Sequence, residues 1–400
     1  MIRIALATLV TLAAGTAHAA HVCQAGDDAF KKANLSPAAD AQRQLHHHWM
    51  AMAKAAAPKW SAARLDQLMI PGTHDAGTFG QPSTTIGVFA NRRPSWAVTQ
   101  SYSFLDQLCL GARWFDVRLE YVKGEWRIFH SFYRFGTGGD TLEQFARFIE
   151  DPAHADEFAF VRLKLSAKPA EKAALYKAWA ARLGNHLVDK TKLPKASKAF
   201  SGFAWLTPAE IQKAGTGPGG RIFLLEYEEK GTNVPPELAK NFFSYPTDQA
   251  GTFSNKVPLS AVTTEQNAKL KEFKSSQTSK GKASAMGGKA FATWWTSTGS
   301  PPNMDVKKNT AAFWPATKKS PATPLEAFYA ANDCAIGTFL IVDFFGDTQL
   351  VGSDKNTVME LAYDHNIRTL NGLKPKLCAA PVVAGGKAGA QAVPAKGKGK

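Results

Sequence analysis

The chain has 400 residues, of which 44% are hydrophobic and 20% charged, and 48 Lys and Arg against 33 Asp and Glu give a formal net charge of +15. This composition excludes a wholly disordered or collagen-like chain, and the length suits one large α/β domain. The positive charge favours an anionic partner, such as a membrane surface, an acidic substrate or nucleic acid, without choosing among them.

Residues 1–19 have the pattern of a secretory signal peptide. Arg3 supplies a positive charge, an apolar run extends through Ala14, and the run closes on the small residues of Ala17-His18-Ala19. The run is too short to span a bilayer, and no later stretch approaches about 18 continuous apolar residues. We therefore expect a secreted or periplasmic protein.

Residues 20–60 are predicted to form an Ala-rich helical extension ahead of the main domain. They include the triplet His46-His47-His48. Three adjacent histidines cannot all face one metal ion on a helix, so we expect an exposed surface here, with metal binding as the alternative.

Four cysteines, Cys23, Cys109, Cys334 and Cys378, allow two disulfides with three possible connectivities in an exported chain. None lies in a C-x-x-C pair, which argues against a zinc ribbon or a redox site. A bond between Cys23 and Cys378 would join the two ends of the ordered region. A free buried thiol is the alternative for Cys109, which lies in an apolar run.

From residue 65 onward, predicted strands alternate with predicted helices. The strands are at 68–70, 112–121, 126–129, 158–165, 221–227 and 338–345, and the helices at 141–150 (with Asp140 as N-cap), 170–187, 208–213 and 358–365. This alternation predicts a parallel sheet that is buried on both faces. Polar residues interrupt the strands near their C-terminal ends, where a closed barrel places its chemistry: His74, Arg118, His130, Lys164, Glu226 and Asp343. We therefore predict an α/β fold, a (β/α)8-type TIM barrel over residues 61–378.

Two segments are predicted to lie outside the core of this domain. Residues 272–288 are rich in Ser, Lys and Gly, which is typical of a flexible insertion. Residues 379–400 are rich in Ala, Gly, Val, Pro and Lys, which predicts a disordered basic tail.

Two local motifs carry candidate chemistry. In the first, a strand ends in a tight turn that delivers His74 and Asp75; in the second, alternation places Asp116 and Arg118 on one side of a strand, and His130 ends the next strand. Two imidazoles serve as base and acid near neutral pH, a carboxylate orients each ring, and a guanidinium binds phosphoryl oxygens. The set suits phosphodiester cleavage. The alternative is that these residues make only structural hydrogen bonds and ion pairs.

The motifs resemble those of the phosphatidylinositol-specific phospholipase C X-domain family. The resemblance is carried by residues 70–78, 107–119, 128–130 and 340–344, in the family's order. It implies a (β/α) barrel that is often irregular or incompletely closed. It also implies a phospholipid substrate, peripheral contact with an anionic membrane surface, and attack by an inositol hydroxyl on phosphorus that yields diacylglycerol and a cyclic inositol phosphate.

The same resemblance implies roles for five residues. His74 resembles the general base and Asp343 the carboxylate that orients it. His130 resembles the general acid, with Asp75 beside it. Arg118 resembles the residue that stabilises the phosphate, and an arginine at this position is typical of the secreted bacterial branch, which works without metal. We therefore expect no cofactor; a calcium ion held by carboxylates, as in the eukaryotic branch, is the alternative.

Substrate-binding positions follow less completely from the resemblance. Asp116 would support the catalytic set, and Lys164 would line the pocket. Tyr245 is the candidate for the aromatic residue on which inositol stacks. Glu226 stands where bacterial relatives often carry a basic residue that contacts inositol.

Other expectations concern the surface and the competing functions. The aromatic residues Phe89, Trp96, Trp294 and Trp295 are candidate membrane anchors, or else cap the barrel. The alternative functions are cleavage of another phosphodiester, such as a glycerophosphodiester, and non-enzymatic binding of an anionic lipid or glycan. A nucleic-acid role has only the net charge in its favour.

Overall fold

The computed structural model describes part of the chain, namely residues 22–23, 46–82, 84–85, 94–194, 202–227, 233–245, 249–254, 256, 258–278, 289–297, 305–311, 313–314, 322–347 and 357–379. The predictions for the signal peptide, for Phe89, for 279–288 and for the tail after Ala379 fall outside these residues. None of the helices in the described ranges is long and apolar enough to cross a membrane.

Eleven strands lie within the described residues: β1 (Ile70–Thr73), β2 (Thr84–Thr85), β3 (Trp114–Val122), β4 (Glu125–His130), β5 (Tyr133–Thr137), β6 (Phe158–Ser166), β7 (Arg221–Glu226), β8 (Phe242–Ser244), β9 (Gln249–Ala250), β10 (Ala290–Trp295) and β11 (Phe339–Val342). Parallel pairing gives the order β9-β10-β11-β1-β3-β6-β7-β8. No pairing between described residues joins β8 to β9, so the sheet curls without closing. The predicted α/β barrel and its incomplete closure are confirmed.

The helices are α1 (Trp49–Ala56), α2 (Phe104–Cys109), α3 (Gly138–Glu150), α4 (Pro169–Leu183), α5 (Pro208–Lys213), α6 (Leu259–Thr278), α7 (Val306–Ala311), α8 (Pro324–Ala331), α9 (Thr357–Leu370) and α10 (Lys376–Ala379). The N-cap of α3 is Thr137 and not Asp140, since Thr137 Oγ1 accepts a hydrogen bond from the Asp140 backbone N–H at 3.1 Å. The first part of the predicted insertion, 272–278, is wrong as a loop, because it continues α6.

The disulfides differ from the predicted pairing. Cys23 is bonded to Cys109, with the Cα atoms 5.6 Å apart, and Cys334 is bonded to Cys378. A bond between Cys23 and Cys378 is therefore wrong, and Cys109 is not a free thiol. Each bond fastens a terminal segment to the body of the barrel rather than one terminus to the other.

The histidine triplet is not the exposed surface that its polarity suggests. His46 and His47 are buried, and burial lowers the pKa of His46 to about 4. The reason is that this segment packs beneath the barrel: Arg113 donates a hydrogen bond to the His47 carbonyl, and Trp49 Nε1 donates to the Gly111 carbonyl. The described part of the extension from residue 46 onward is thus packed into the domain.

Candidate active site

Aromatic rings fill the interior of the barrel below the candidate site. Phe160 stacks on Phe223 with centroids 4.4 Å apart and meets the edge of Phe339 at 5.0 Å, while Trp114 meets Trp294 at 5.4 Å. Because strand side chains alternate, the next inward positions, two residues further on, lie above this layer. On β3 this position is Asp116, and on β6 it is Arg162, which lies beside Asp116 in the register.

The end of β1 delivers His74 and Asp75. Gly72 allows β1 to lie close against β3, since a Cβ there would lie 2.9 Å from the Trp114 Cβ. Immediately after the strand, Asp75 adopts the left-handed region, with φ of +43°. A non-glycine residue rarely adopts this conformation, and such residues are often found at functional sites. The turn points both side chains at the open end of the barrel.

Asp343 orients the ring of His74. His74 Nδ1 lies 2.8 Å from Asp343 Oδ1, and both side chains are buried. Because an ionised carboxylate only accepts, Nδ1 donates its proton and Nε2 faces the site. The second oxygen of Asp343 accepts a hydrogen bond from the Ser297 backbone N–H at 3.0 Å.

The pKa of His74 is raised above its ordinary value of 6.5. Burial by itself lowers the pKa, and Arg118 opposes protonation as well. The negative charges of Asp75 and Asp343 outweigh both effects. The ring therefore has more affinity for a proton than an exposed histidine has, which suits a general base.

His130 reaches the same place from another strand. β4 runs antiparallel to β3, with Leu119 opposite Ile128, so His130 returns to the level at which Asp116 and Arg118 lie. Its Nδ1 lies 2.9 Å from the Ala97 carbonyl oxygen, which holds a proton on Nδ1 and turns Nε2 towards the site.

Asp75 lies between the two imidazoles. Its Oδ2 is 3.2 Å from His74 Nε2 and 3.5 Å from His130 Nε2. Residues that are 56 positions apart in the chain thus meet at one carboxylate oxygen (130 − 74 = 56). The oxygen can stabilise a proton on either ring.

Arg118 completes this cluster. Its Nε is 2.5 Å from Asp75 Oδ1, and its Nη2 is 2.8 Å from Asp116 Oδ2 and 3.2 Å from His74 Nε2. A guanidinium only donates, so the contact with His74 requires an unprotonated Nε2. Burial opposes the charge of Asp116, but Arg118 and Arg162 outweigh it and hold the pKa of that carboxyl well below its usual range. The charges of both partners are thereby retained.

The candidate site combines three possible metal ligands with the guanidinium of Arg118. His74, Asp75 and Asp116 present possible ligand atoms within 4.8 Å of one another. However, the guanidinium of Arg118 already pairs with both carboxylates and points at the nitrogen of His74. A cation placed here would compete with Arg118 for the same oxygens.

Lys164 and an unpredicted arginine extend the site along β6. The register places Asp116 beside Arg162 and Arg118 beside Lys164, so the two β6 cations share the inward face. Arg162 lies 4.4 Å from the ring of Tyr227. Burial, followed by the charge of Arg118, lowers the pKa of Lys164. The spacing of two residues between Arg162 and Lys164 was the signal that sequence reasoning missed.

The structure places Glu226 and Tyr245 differently with respect to the site. Glu226 is opposite Leu163 in the register and points to the helix layer, where it accepts hydrogen bonds from Tyr176 Oη and the Asn233 N–H. The residue that faces the site from this strand end is Tyr227, whose ring lies 5.2 Å from Lys164 Nζ. Tyr245 is brought to the site but is buried, with its ring 4.2 Å from Arg162, so it supports that arginine.

The expectation that Trp294 and Trp295 anchor the protein to a membrane is wrong. Both are fully buried. Trp294 lies inside the barrel, 5.7 Å from the His74 ring, and Trp295 packs outside it against Phe328. Trp294 thus helps to fill the barrel, while Trp295 packs between the sheet and the helix layer. Trp96 is half-buried and packs against the core.

Comparisons with known proteins agree with the motifs. No protein-family model matches the chain. Over 95 residues the chain is 32% identical to a PI-PLC X domain-containing protein of Dictyostelium discoideum, covering 21% of this chain and only 16% of that protein. A double mutant of the phosphatidylinositol-specific phospholipase C from Staphylococcus aureus superposes with a TM-score of 0.52 over 80% of this chain and 98% of the enzyme, at 16% identity. A form of that enzyme with incorporated pentafluoro-Phe gives a TM-score of 0.51 over the same shares, at 17% identity. The fold is that of these enzymes, and the resemblance seen in the motifs is confirmed.

Proposed function

We propose that the protein is a phospholipase C-type phosphodiesterase that cleaves phosphatidylinositol or a related phospholipid. The observation that carries the proposal is the meeting of His74, His130 and Arg118 at the carboxylate of Asp75. Two rings that can exchange protons, with a cation bound to the carboxylate between them, suit an in-line attack on a phosphodiester. The names of the similar proteins support the choice of substrate.

In the first step, His74 acts as the base. Its Nε2 takes the proton from the headgroup hydroxyl next to the phosphate, and the oxygen attacks phosphorus. Asp343 stabilises the imidazolium that forms, as the carboxylate does in other His–Asp pairs. Because nucleophile and phosphorus belong to one molecule, little orientation is left for the protein to impose.

His130 acts as the acid in the same step. Its Nε2 proton goes to the oxygen of diacylglycerol as the P–O bond breaks, while Nδ1 keeps its bond to the Ala97 carbonyl. Arg118 neutralises the charge that gathers on the phosphoryl oxygens. The product is a cyclic phosphate. If water then opens the ring, His130 takes the proton from water and His74 returns one to the hydroxyl.

We also propose that the reaction needs no metal, because Arg118 supplies positive charge at the carboxylates that would otherwise bind calcium. The pattern of residues 1–19 supports export to the periplasm or medium. Contact with an anionic membrane surface would then be peripheral.

Product analysis by mass spectrometry tests the proposal. The full protein is incubated with vesicles of single phospholipids and, separately, with glycerophosphodiesters. We expect diacylglycerol and a cyclic inositol phosphate from phosphatidylinositol, and none with His74→Ala. If only glycerophosphodiesters are cleaved, they and not phospholipids are the substrate class. If the protein binds vesicles but releases no product, a non-enzymatic binding module is favoured.

A further inference from the structure

We propose that Gln100 is a positioning residue that holds His74 and Asp343 together. The proposal rests on the proposed function, in which these two residues are the general base and its carboxylate. Gln100 would touch neither substrate nor reacting atoms. It would act by fixing the backbone on both sides of the ion pair.

The amide of Gln100 makes its hydrogen bonds to the two backbone segments that carry His74 and Asp343. Its Nε2 donates to the His74 carbonyl at 2.9 Å and to the Val342 carbonyl at 3.2 Å, and its Oε1 accepts from the Phe345 N–H at 3.0 Å. The side chain is fully buried. One amide therefore joins the residue that bears the imidazole to residues on both sides of Asp343.

The pairing of β1 with β11 ends just before this pair. The ladder between β1 and β11 ends at Thr73 opposite Val342, one residue before each member of the pair. The segments that follow β1 and β11 then turn through left-handed conformations, with φ of +43° at Asp75 and +52° at Phe344. Because such conformations are costly, the surroundings must impose them. The Gln100 amide reaches both turns, so it is suited to keep the Nδ1 to Oδ1 distance at 2.8 Å.

Neighbouring contacts show that removal of the amide leaves most partners satisfied. The His74 carbonyl also accepts from Thr99 Oγ1 at 3.0 Å, and the Val342 carbonyl also accepts from the His74 N–H at 3.0 Å. The Phe344 N–H donates to the Thr99 carbonyl at 2.7 Å. The fold is thus expected to survive the loss of Gln100, while the geometry of the pair loosens.

Asn366 offers a matched control at the other end of β1. It is also fully buried, its Nδ2 donates to the Met69 carbonyl at 2.9 Å, and its Oδ1 accepts from the Met69 N–H at 2.7 Å. It joins α9 to the residue before β1, on the side of the barrel away from the site. A general effect of losing a buried amide should appear equally in Asn366→Leu.

The test compares Gln100→Met with Asn366→Leu in the full protein. The His74 ring is titrated by NMR, and kcat, KM and the pH profile are measured on phosphatidylinositol vesicles. The charged groups that face His74 are Asp75, Asp343, Arg118 and Asp116. If Gln100→Met moves Asp343 away, the pKa of His74 falls and the acid limb of the pH profile moves to lower pH.

We expect kcat of Gln100→Met to fall about tenfold to a hundredfold with little change in KM, since small displacements of a reacting group have effects of this size. Asn366→Leu should leave the titration and the activity per folded molecule unchanged.

The outcomes separate this proposal from the proposed function. An unchanged His74 titration in Gln100→Met, or an equal shift in Asn366→Leu, overturns the positioning role. Should Gln100→Met not fold, Gln100→Asn is read instead: its shorter amide cannot span both segments, and the same shift is expected. The NMR titration needs no substrate. If the wild-type protein has no phospholipase activity but Gln100→Met still shifts the His74 titration, the proposed function is wrong and the positioning role stands.

Discussion

The side chains of His74 and Asp343 meet at 2.8 Å although 269 positions separate the two residues in the chain. They lie at the ends of neighbouring strands, β1 and β11, whose parallel register brings Thr73 opposite Val342. This pair sets the protonation behaviour of the candidate base. It also leads to the first prediction.

Asp343→Asn should move the acid limb of the pH profile to lower pH. A base must be unprotonated, so activity is lost as pH falls through the raised pKa of His74. Removal of the Asp343 charge takes away one cause of the raised pKa, so that loss occurs at lower pH. The rate above the limb should also fall by roughly 10²-fold or more, because the amide no longer stabilises the imidazolium. The profile of kcat/KM checks this, and an unmoved limb contradicts it.

His130→Ala should be rescued by a better leaving group, whereas His74→Ala should not. On the natural lipid, both variants are expected to lose about 10²- to 10⁴-fold, the usual contribution of a proton-transferring group. An inositol phosphodiester of an acidic phenol needs no protonation of its leaving oxygen, so His130→Ala should regain much of the rate on it. Equal losses of His130→Ala on the two substrates would remove its role as the acid.

Arg118→Lys should lower kcat strongly even though it keeps the positive charge. Arg118 contacts Asp75, Asp116 and His74 with a planar fork, and an ammonium group cannot reproduce that fork. We expect a loss on the order of 10²-fold, as for other donors that stabilise charge in a transition state. Lys177→Arg, at an exposed ion pair with Glu237, is the control and should retain full activity.

A chelator should leave the activity of the wild-type protein unchanged. Arg118 already pairs with both carboxylates that would bind an added cation. Initial rates on phosphatidylinositol vesicles, before and after dialysis against a chelator, check this expectation. A loss that calcium restores would assign the calcium alternative instead.

Glu157→Ala should destabilise the fold without acting on the site. Glu157 and Arg113 are fully buried, and Arg113 Nε lies 2.8 Å from Glu157 Oε2. Loss of the carboxylate leaves a buried guanidinium unpaired, which costs about 3–5 kcal/mol. Glu157 also accepts from the Met50 N–H, so α1 should loosen. Urea unfolding measures the loss, and removal of the exposed carboxylate that pairs with Arg182, in Glu143→Ala, should change stability far less.

Much of the fold was predictable because its signals are local. Alternating apolar strands and amphipathic helices indicated a barrel, and β6 and α5 lie close to where the pattern placed them. The failures have long-range causes. His46 and His47 are polar residues in a polar segment, and they are buried because that segment packs against the barrel, where Arg113 donates to the His47 carbonyl. The cysteine count allowed three pairings, and spatial proximity chose one of them.

The sequence by itself determined which residue types are available for catalysis: the turn after β1 carries His74 and Asp75, and alternation along β3 places Asp116 and Arg118 on one face. Only the tertiary structure decided which side chains share a pocket. Side chains alternate between the two faces of a strand. Glu226 therefore points to the helices, and the next residue, Tyr227, points to the site. The packing of distant strands likewise brought in Arg162 and placed Gln100 between the two turns.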